Sequence, residues 1–327
     1  MSEIILPQKI IFGKSSLKDN PFSDFSSAIL ICDCKNFLKS NPFFTDDNSK
    51  PKLIPEIVVK TDESTQVLAD FAAEQLNSGK FDLLIAAGSG TLFDRAAELA
   101  VDYSVKLALI PVCGLTESHL SPPEPPYAAV LVPSLICGEN AIATAYRASA
   151  SLAVCIDAFL HTEDEVMRSL ISDTAVQIEQ NMVSAYHGEI AALFKIYYAI
   201  FAADIIAYSF NDETPFRKAV LFFSELGAPH SGSAAVCLAN SLEFSASEIE
   251  DKCAELSMRF GINKNCGDSA GNLAEFLRKK FASVGIQKSV NAFYSDEWRY
   301  TEKADGFNEL RPLLDNCYYG SRRFVRL

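Results

Sequence analysis

Two rhythms divide this chain, and their order points to a fold class. Up to about residue 139, short apolar runs alternate with helical patterns. Ile4–Phe12, Ala28–Cys32, Ile54–Val59, Leu83–Ala87 and Leu107–Val112 have strand length, and Val130–Ile136 reads as one more. Between some of them, Thr65–Leu76 and Leu92–Val101 repeat their apolar residues at helical spacing. Strands joined by helical crossovers run parallel, which predicts a doubly wound, Rossmann-like α/β sheet. After Gly138 nearly everything is helical: Ala141–Leu160, Asp164–Tyr186, Glu189–Phe210, Phe216–Leu226, Ser233–Leu242, Ser247–Phe260 and Ala270–Phe281. The expected organisation is an α/β nucleotide-binding domain, 1–139, followed by an all-α metal and substrate domain, 140–327. A cleft between two such domains is a common seat for a small molecule. The tail, Ser283–Leu327, carries no regular pattern.

Composition narrows the partners. A formal net charge of −13 argues against nucleic acid or an anionic membrane surface as the main partner, leaving a small-molecule substrate. No apolar stretch reads as a membrane span, and MSEIILPQKI lacks a basic segment followed by an apolar one, so a secretory signal is not expected. Nine cysteines are scattered without the paired spacing of a zinc site. Cys32 and Cys34 flank Asp33 on a predicted strand, and Cys155, Cys237 and Cys253 fall in apolar patterns. Buried, reduced thiols in a cytoplasmic protein account for them.

The segment FDLLIAAGSGTLFDRAA, Phe81–Ala97, carries the first chemistry. An apolar strand, a break at Gly88-Ser89-Gly90-Thr91 and a helix aim backbone N–H groups and a helix N-terminus at a phosphate. Glycine suits such a loop because a Cβ would hold the ligand away from the backbone. An ordinary strand-to-helix turn uses glycine equally well.

Several segments, in order, resemble the iron-containing alcohol dehydrogenase superfamily, which also holds glycerol dehydrogenase, glycerol-1-phosphate dehydrogenase and dehydroquinate synthase. LPQKIIFGKSSL resembles its first strand, ILICDC its second, and GSGTLFD its phosphate loop, with Asp94 on the motif's aspartate. IPVCGLTES stands at its threonine-rich nicotinamide-side loop, AVLVPSLI at the strand that ends its first domain, CIDAFLH at its first metal-ligand helix and GAPHSGSAAVCLANSLEF at its later histidine-bearing helix start. The resemblance covers roughly residues 4 to 262.

On this resemblance, NAD rather than NADP is the cofactor. Asp33 would accept from ribose hydroxyls and repel a 2′-phosphate, though a strand-end aspartate facing solvent has the same sequence. Gly88, Ser89, Gly90 and Thr91 would hold the pyrophosphate, and Thr116 would lie on the nicotinamide side. Asp94, out of place beside a phosphate, would orient the loop, meet the nicotinamide end, or serve as a first-turn carboxylate favoured by the helix dipole.

Asp157 and His161 are four residues apart on a helical pattern, so they share a face and suit one divalent cation, Zn or Fe. A plain surface pair has the same spacing. His230 would complete the ligand set from the next helix start, or donate to a carbonyl there. The iron-dependent members supply a further histidine shortly before that point. Here the window Asp212–Val220 holds none; Phe216 or Val220 stands in its place, with Asp212 the nearest substitute. The remaining three match the count of a catalytic zinc site. His187 reads as a helix-connection residue, and His119 as a loop histidine or proton shuttle.

The implied activity is a metal-dependent, NAD-linked alcohol or polyol dehydrogenase, with a homodimer allowed. A sugar-phosphate cyclase like dehydroquinate synthase would need a basic pocket, for which Lys195, Arg217 and Lys218 are candidates. A non-catalytic relative with a degraded metal site is the third possibility.

Overall fold

Runs such as Ala28–Cys32 and Leu83–Ala87 offer no polar face to water, as suits inner strands of a sheet covered on both sides. The computed structural model, which describes residues 7–13, 21–33, 54–88, 90–111, 126–132, 141–210, 213–262 and 268–320, places them so. The chain forms two compact units, Glu3–Gly138 and Glu139–Leu327.

In the first unit, β1 (Lys9–Phe12), β2 (Ser27–Cys32), β3 (Glu56–Thr61), β4 (Leu83–Gly88), β5 (Lys106–Pro111) and β6 (Ala128–Leu131) make one sheet, ordered β1-β6-β5-β4-β2-β3. Every pairing is parallel. Ala28, Leu30, Cys32, Leu83, Ile85, Ala87, Ala108 and Ile110 line one face, packed with Phe22 and Ile54. Ile29, Ile31, Leu84 and Ala86 alternate to the other face and are equally buried. The edge strand β3 is only partly buried and carries Glu56 and Lys60, which suits a strand with one partner. Helices α1 (Thr65–Leu76) and α2 (Gly90–Asp102) pack on each other and on the strands beside them. Ser64 fixes the start of α1, its hydroxyl accepting from the Val67 N–H at 3.5 Å.

The expected strands and helices are all present within a few residues. Residues 4–6 of the first expected strand and 133–136 of the last lie outside the described residues. Among the described residues, one turn of sequence locks the base of β2. The Asp82 carboxylate accepts from the backbone N–H and hydroxyl of both Ser26 and Ser27, each at 3.2 Å. Burial pushes the Asp82 carboxyl up, but these donors outweigh it and hold it below the usual carboxylate range. A depressed folded-state value contributes stability above the unfolded pKa of about 3.9 that is lost as pH falls through the folded one. Asp82→Asn should therefore lower Tm at pH 7, and the deficit should shrink as thermal melts are taken down through the acid range.

In the second unit, α3 (Ala141–His161), α4 (Glu165–Tyr186), α5 (Ile190–Ser209), α6 (Pro215–Leu226), α7 (His230–Phe244), α8 (Ala246–Arg259) and α9 (Ser269–Ser283) follow one another. α7 is buried without interruption from Gly232 to Leu242 and packs against α3, α6 and α9, as a helix apolar all round must. One helix, α5, has an 18-residue window, Ile190–Ala207, long and apolar enough to cross a membrane by length and composition, though Lys195 and Asp204 interrupt it. More than half of that window is buried, and α5 packs against α3 and α4 as a core helix. The unassigned tail forms α10 (Glu297–Ala304) and α11 (Arg311–Tyr319). Each is too short to display a repeat, and they dock through aromatic rings instead: Tyr300 stacks on Tyr318 at 4.0 Å and donates to Asp315 at 2.6 Å.

Cys32, Cys155, Cys237, Cys253 and Cys317 are buried thiols, while Cys34 lies outside the described residues. Burial pushes the Cys253 thiol up to about 12 and that of Cys155 further still, leaving inert hydrophobes at neutral pH.

Candidate functional site

Strand order positions the first site. The chain lays β3 on one side of β2 and then returns to lay β4 on the other, so the direction of winding reverses between β2 and β4. Open α/β sheets bind ligands outside the carboxyl ends of the strands at this reversal. Asp33 follows β2 and Gly88 ends β4 there, one step beyond the paired Cys32 and Ala87. Gly88 has a φ of +148°, and a Cβ built on it would lie 1.8 Å from Asp33 Oδ1. The reason for glycine thus differs from the sequence expectation. In the described structure the space of the missing side chain is filled by the chain's own carboxylate, which is held over the end of β4.

α2 opens two residues later at Gly90, itself buried, with Thr91 exposed beside it. The N–H groups of its first turn have no partner within the helix itself, and they stand at the positive end of its 13 residues. Asp94 lies beyond the first turn and is half-buried, which removes the first-turn reading. Ser89 and Thr116 lie outside the described residues, as does His119.

The second site belongs to the helical unit. Asp157, in the last turns of α3, is 2% exposed, and His161 ends the same helix at 29%. His161 Nδ1 donates to the Asp157 carbonyl at 2.8 Å and lies 3.4 Å from Asp157 Oδ1. The carbonyl cannot donate, so Nδ1 carries the proton of that bond.

Asp157 Oδ2 accepts from Thr214 Oγ1 at 3.1 Å and from Arg217 Nε at 3.3 Å. Thr214 is the N-cap of α6, its hydroxyl also accepting from the Arg217 N–H at 3.2 Å, with Pro215 at the first helical position. The cap therefore aims both the hydroxyl and the arginine at one carboxylate. Arg217, 18% exposed, lies with its guanidinium 5.2 Å from the Phe210 ring centre. Burial pushes the Asp157 carboxyl up; His161, Arg217 and Thr214 act against it and the net value stays above the usual range.

His230 begins α7, and its Nδ1 lies 3.2 Å from Ser224 Oγ on α6. Gly227 makes that approach by ending α6 at a φ of +92°, where its own N–H bonds back to Ser224. Among the described residues no three His, Cys, Asp or Glu side chains gather as a metal would need. The expected set of Asp157, His161 and His230 therefore does not gather as one group among the described residues. Asp157 and His161 come together, His230 is engaged with Ser224, and the charge beside Asp157 is a guanidinium. A Zn or Fe ion does not fit these side chains as they stand.

The expected basic pocket fares similarly. Arg217 serves Asp157, and Lys218 pairs with Glu213 at 3.2 Å. His187 caps the end of α4, as a helix-connection residue does. Sequence reasoning missed Thr214 and the arginine's partner. The Thr-Pro pair is a readable helix start, but no spacing tells which carboxylate a residue about sixty positions earlier presents to it.

No protein-family model and no curated protein matches the chain. Solved structures do, along nearly their full length. An iron-containing alcohol dehydrogenase from Corynebacterium glutamicum superposes with a TM-score of 0.77 at 19% identity, covering 99% of this chain and 98% of that one. An alcohol dehydrogenase from Oenococcus oeni gives 0.82 at 14%, covering 97% and 100%. A maleylacetate reductase from a Rhizobium strain gives 0.78 at 15%, covering 98% and 100%. The chain has the fold of these oxidoreductases; at such identities the likeness establishes the fold alone.

Proposed function

We propose that this chain is an NAD-linked oxidoreductase acting on a small alcohol or polyol, or on the corresponding carbonyl compound. The observation that carries the proposal is the convergence of Asp33, Gly88 and the start of α2 at the switch point of a parallel sheet. The shared fold with alcohol dehydrogenases and a maleylacetate reductase supports the reaction class.

NAD would supply the hydride chemistry when bound, and the residues do the holding. Asp33, already over the end of β4, accepts hydrogen bonds from the ribose hydroxyls and disfavours an added 2′-phosphate. Gly90, Thr91 and Leu92, in the first turn of α2, offer N–H donors to the pyrophosphate. Since the Asp157 cluster does not fit a metal, no step is assigned to one. The Asp157–Arg217 pair also favours a second reading, a non-catalytic dinucleotide-binding protein.

Following NADH absorbance with a panel of small aldehydes, ketones and alcohols in the presence of a chelator separates the two. The oxidoreductase consumes NADH or reduces NAD with at least one member. Under the second reading NAD binds and no turnover occurs. In the same assay, Asp33→Asn should narrow the preference for NAD over NADP by about tenfold, the effect of losing one charged partner.

A further inference from the structure

We infer that Arg217 supplies the positive charge that a divalent metal would bring to Asp157, so that the helical unit is a metal-independent version of its fold. The inference rests on the proposed oxidoreductase reading for its use, but its evidence is local.

Asp157 is almost wholly buried, and a buried carboxylate needs a cation or several donors to persist as an anion. It has both: the Arg217 Nε–H at 3.3 Å and the Thr214 hydroxyl at 3.1 Å, on the same oxygen. A metal would have to displace a guanidinium that is also seated on the Phe210 ring. His161 turns Nδ1 to the Asp157 carbonyl, so the ring nitrogen left for a ligand is Nε2 and not the one 3.4 Å from Asp157 Oδ1. His230 does not join them; it lies against Ser224. Like charges at this separation repel, so the arginine and a divalent ion exclude each other.

Nor is Arg217 held by chance. It stands three residues after the capping Thr214, and that cap bonds both its backbone N–H and its carboxylate partner. The fork of the guanidinium has no further hydrogen-bond partner among the described residues, which leaves its outer N–H groups able to receive an oxygen of a bound carbonyl or carboxylate.

The test uses the full chain. Metal content is measured by elemental analysis after purification and after anaerobic incubation with Zn²⁺ or Fe²⁺, beside Arg217→Gln and Asp157→Asn. Gln keeps an N–H donor for Asp157 but removes the charge. The expected result is no stoichiometric metal in the natural chain, and Zn²⁺ binding to Arg217→Gln tighter by about tenfold or more. Near-stoichiometric metal in the natural chain that Asp157→Asn loses would overturn the inference, whether or not Arg217→Gln folds. Calorimetric titration of the same samples with NAD reads the cofactor site separately. Loss of NAD binding would sink the oxidoreductase reading while leaving the metal result to stand by itself.

Discussion

Gly88→Ala should destabilise the protein by at least about 2 kcal/mol in urea unfolding and weaken NAD binding more than about tenfold. Two independent penalties act at this position. A φ of +148° is one that side chains rarely adopt, and the new methyl would overlap Asp33 Oδ1 at 1.8 Å. The strand cannot give way easily, since β4 is buried along its length between β2 and β5. Asp33 must therefore move, which withdraws the acceptor that the proposed NAD site offers to the ribose. Combining Gly88→Ala with Asp33→Ala removes the overlap but not the backbone strain. The double variant should regain part of the stability and none of the NAD affinity. A Gly88→Ala protein as stable as the parent would show that the end of β4 does not hold this conformation.

Arg217→Ala should cost about 3–5 kcal/mol at neutral pH, the range for removing one partner of a buried ion pair. The loss comes from Asp157, which stays 2% exposed and keeps, among the described residues, only Thr214 and His161 as neighbours able to help. If so, Asp157→Asn in the Arg217→Ala background should recover much of the loss, because a neutral amide does not demand a cation. Urea titrations of the two single variants and the double one measure the coupling. Strict additivity would mean that the carboxylate and the guanidinium do not depend on each other.

The sheet was legible because a parallel strand buried on both faces leaves an unbroken apolar run, as in Ala28–Cys32 and Leu83–Ala87. Helix α1 could be read from its ends inward, with Ser64 as the cap. The apolar spacing begins α2 only at Leu92, two residues late, because glycine is a poor helix former and nothing local says that Gly90 is already helical. The tail was opaque for another reason: α10 and α11 are short and are held by Tyr300, Tyr318 and Phe222, contacts made across the sequence. At the candidate sites, Asp33 and Gly88 were legible as neighbours of strand ends, but not the fact that one fills the other's missing side chain. The metal set failed where spacing has no information. Asp157 and His161 share a helix face as expected, yet the carboxylate's partner arrives from the start of α6 rather than from His230.

The proposed NAD site is the switch point of the sheet, built from Asp33, Gly88 and the start of α2. Isothermal titration of the full-length protein with NAD, NADH and NADP, beside Gly88→Ala, tests it most directly. One site per chain is expected, tighter for NAD and NADH than for NADP, and lost in the variant. Absence of binding by all three, or NAD binding undiminished in Gly88→Ala, would contradict it.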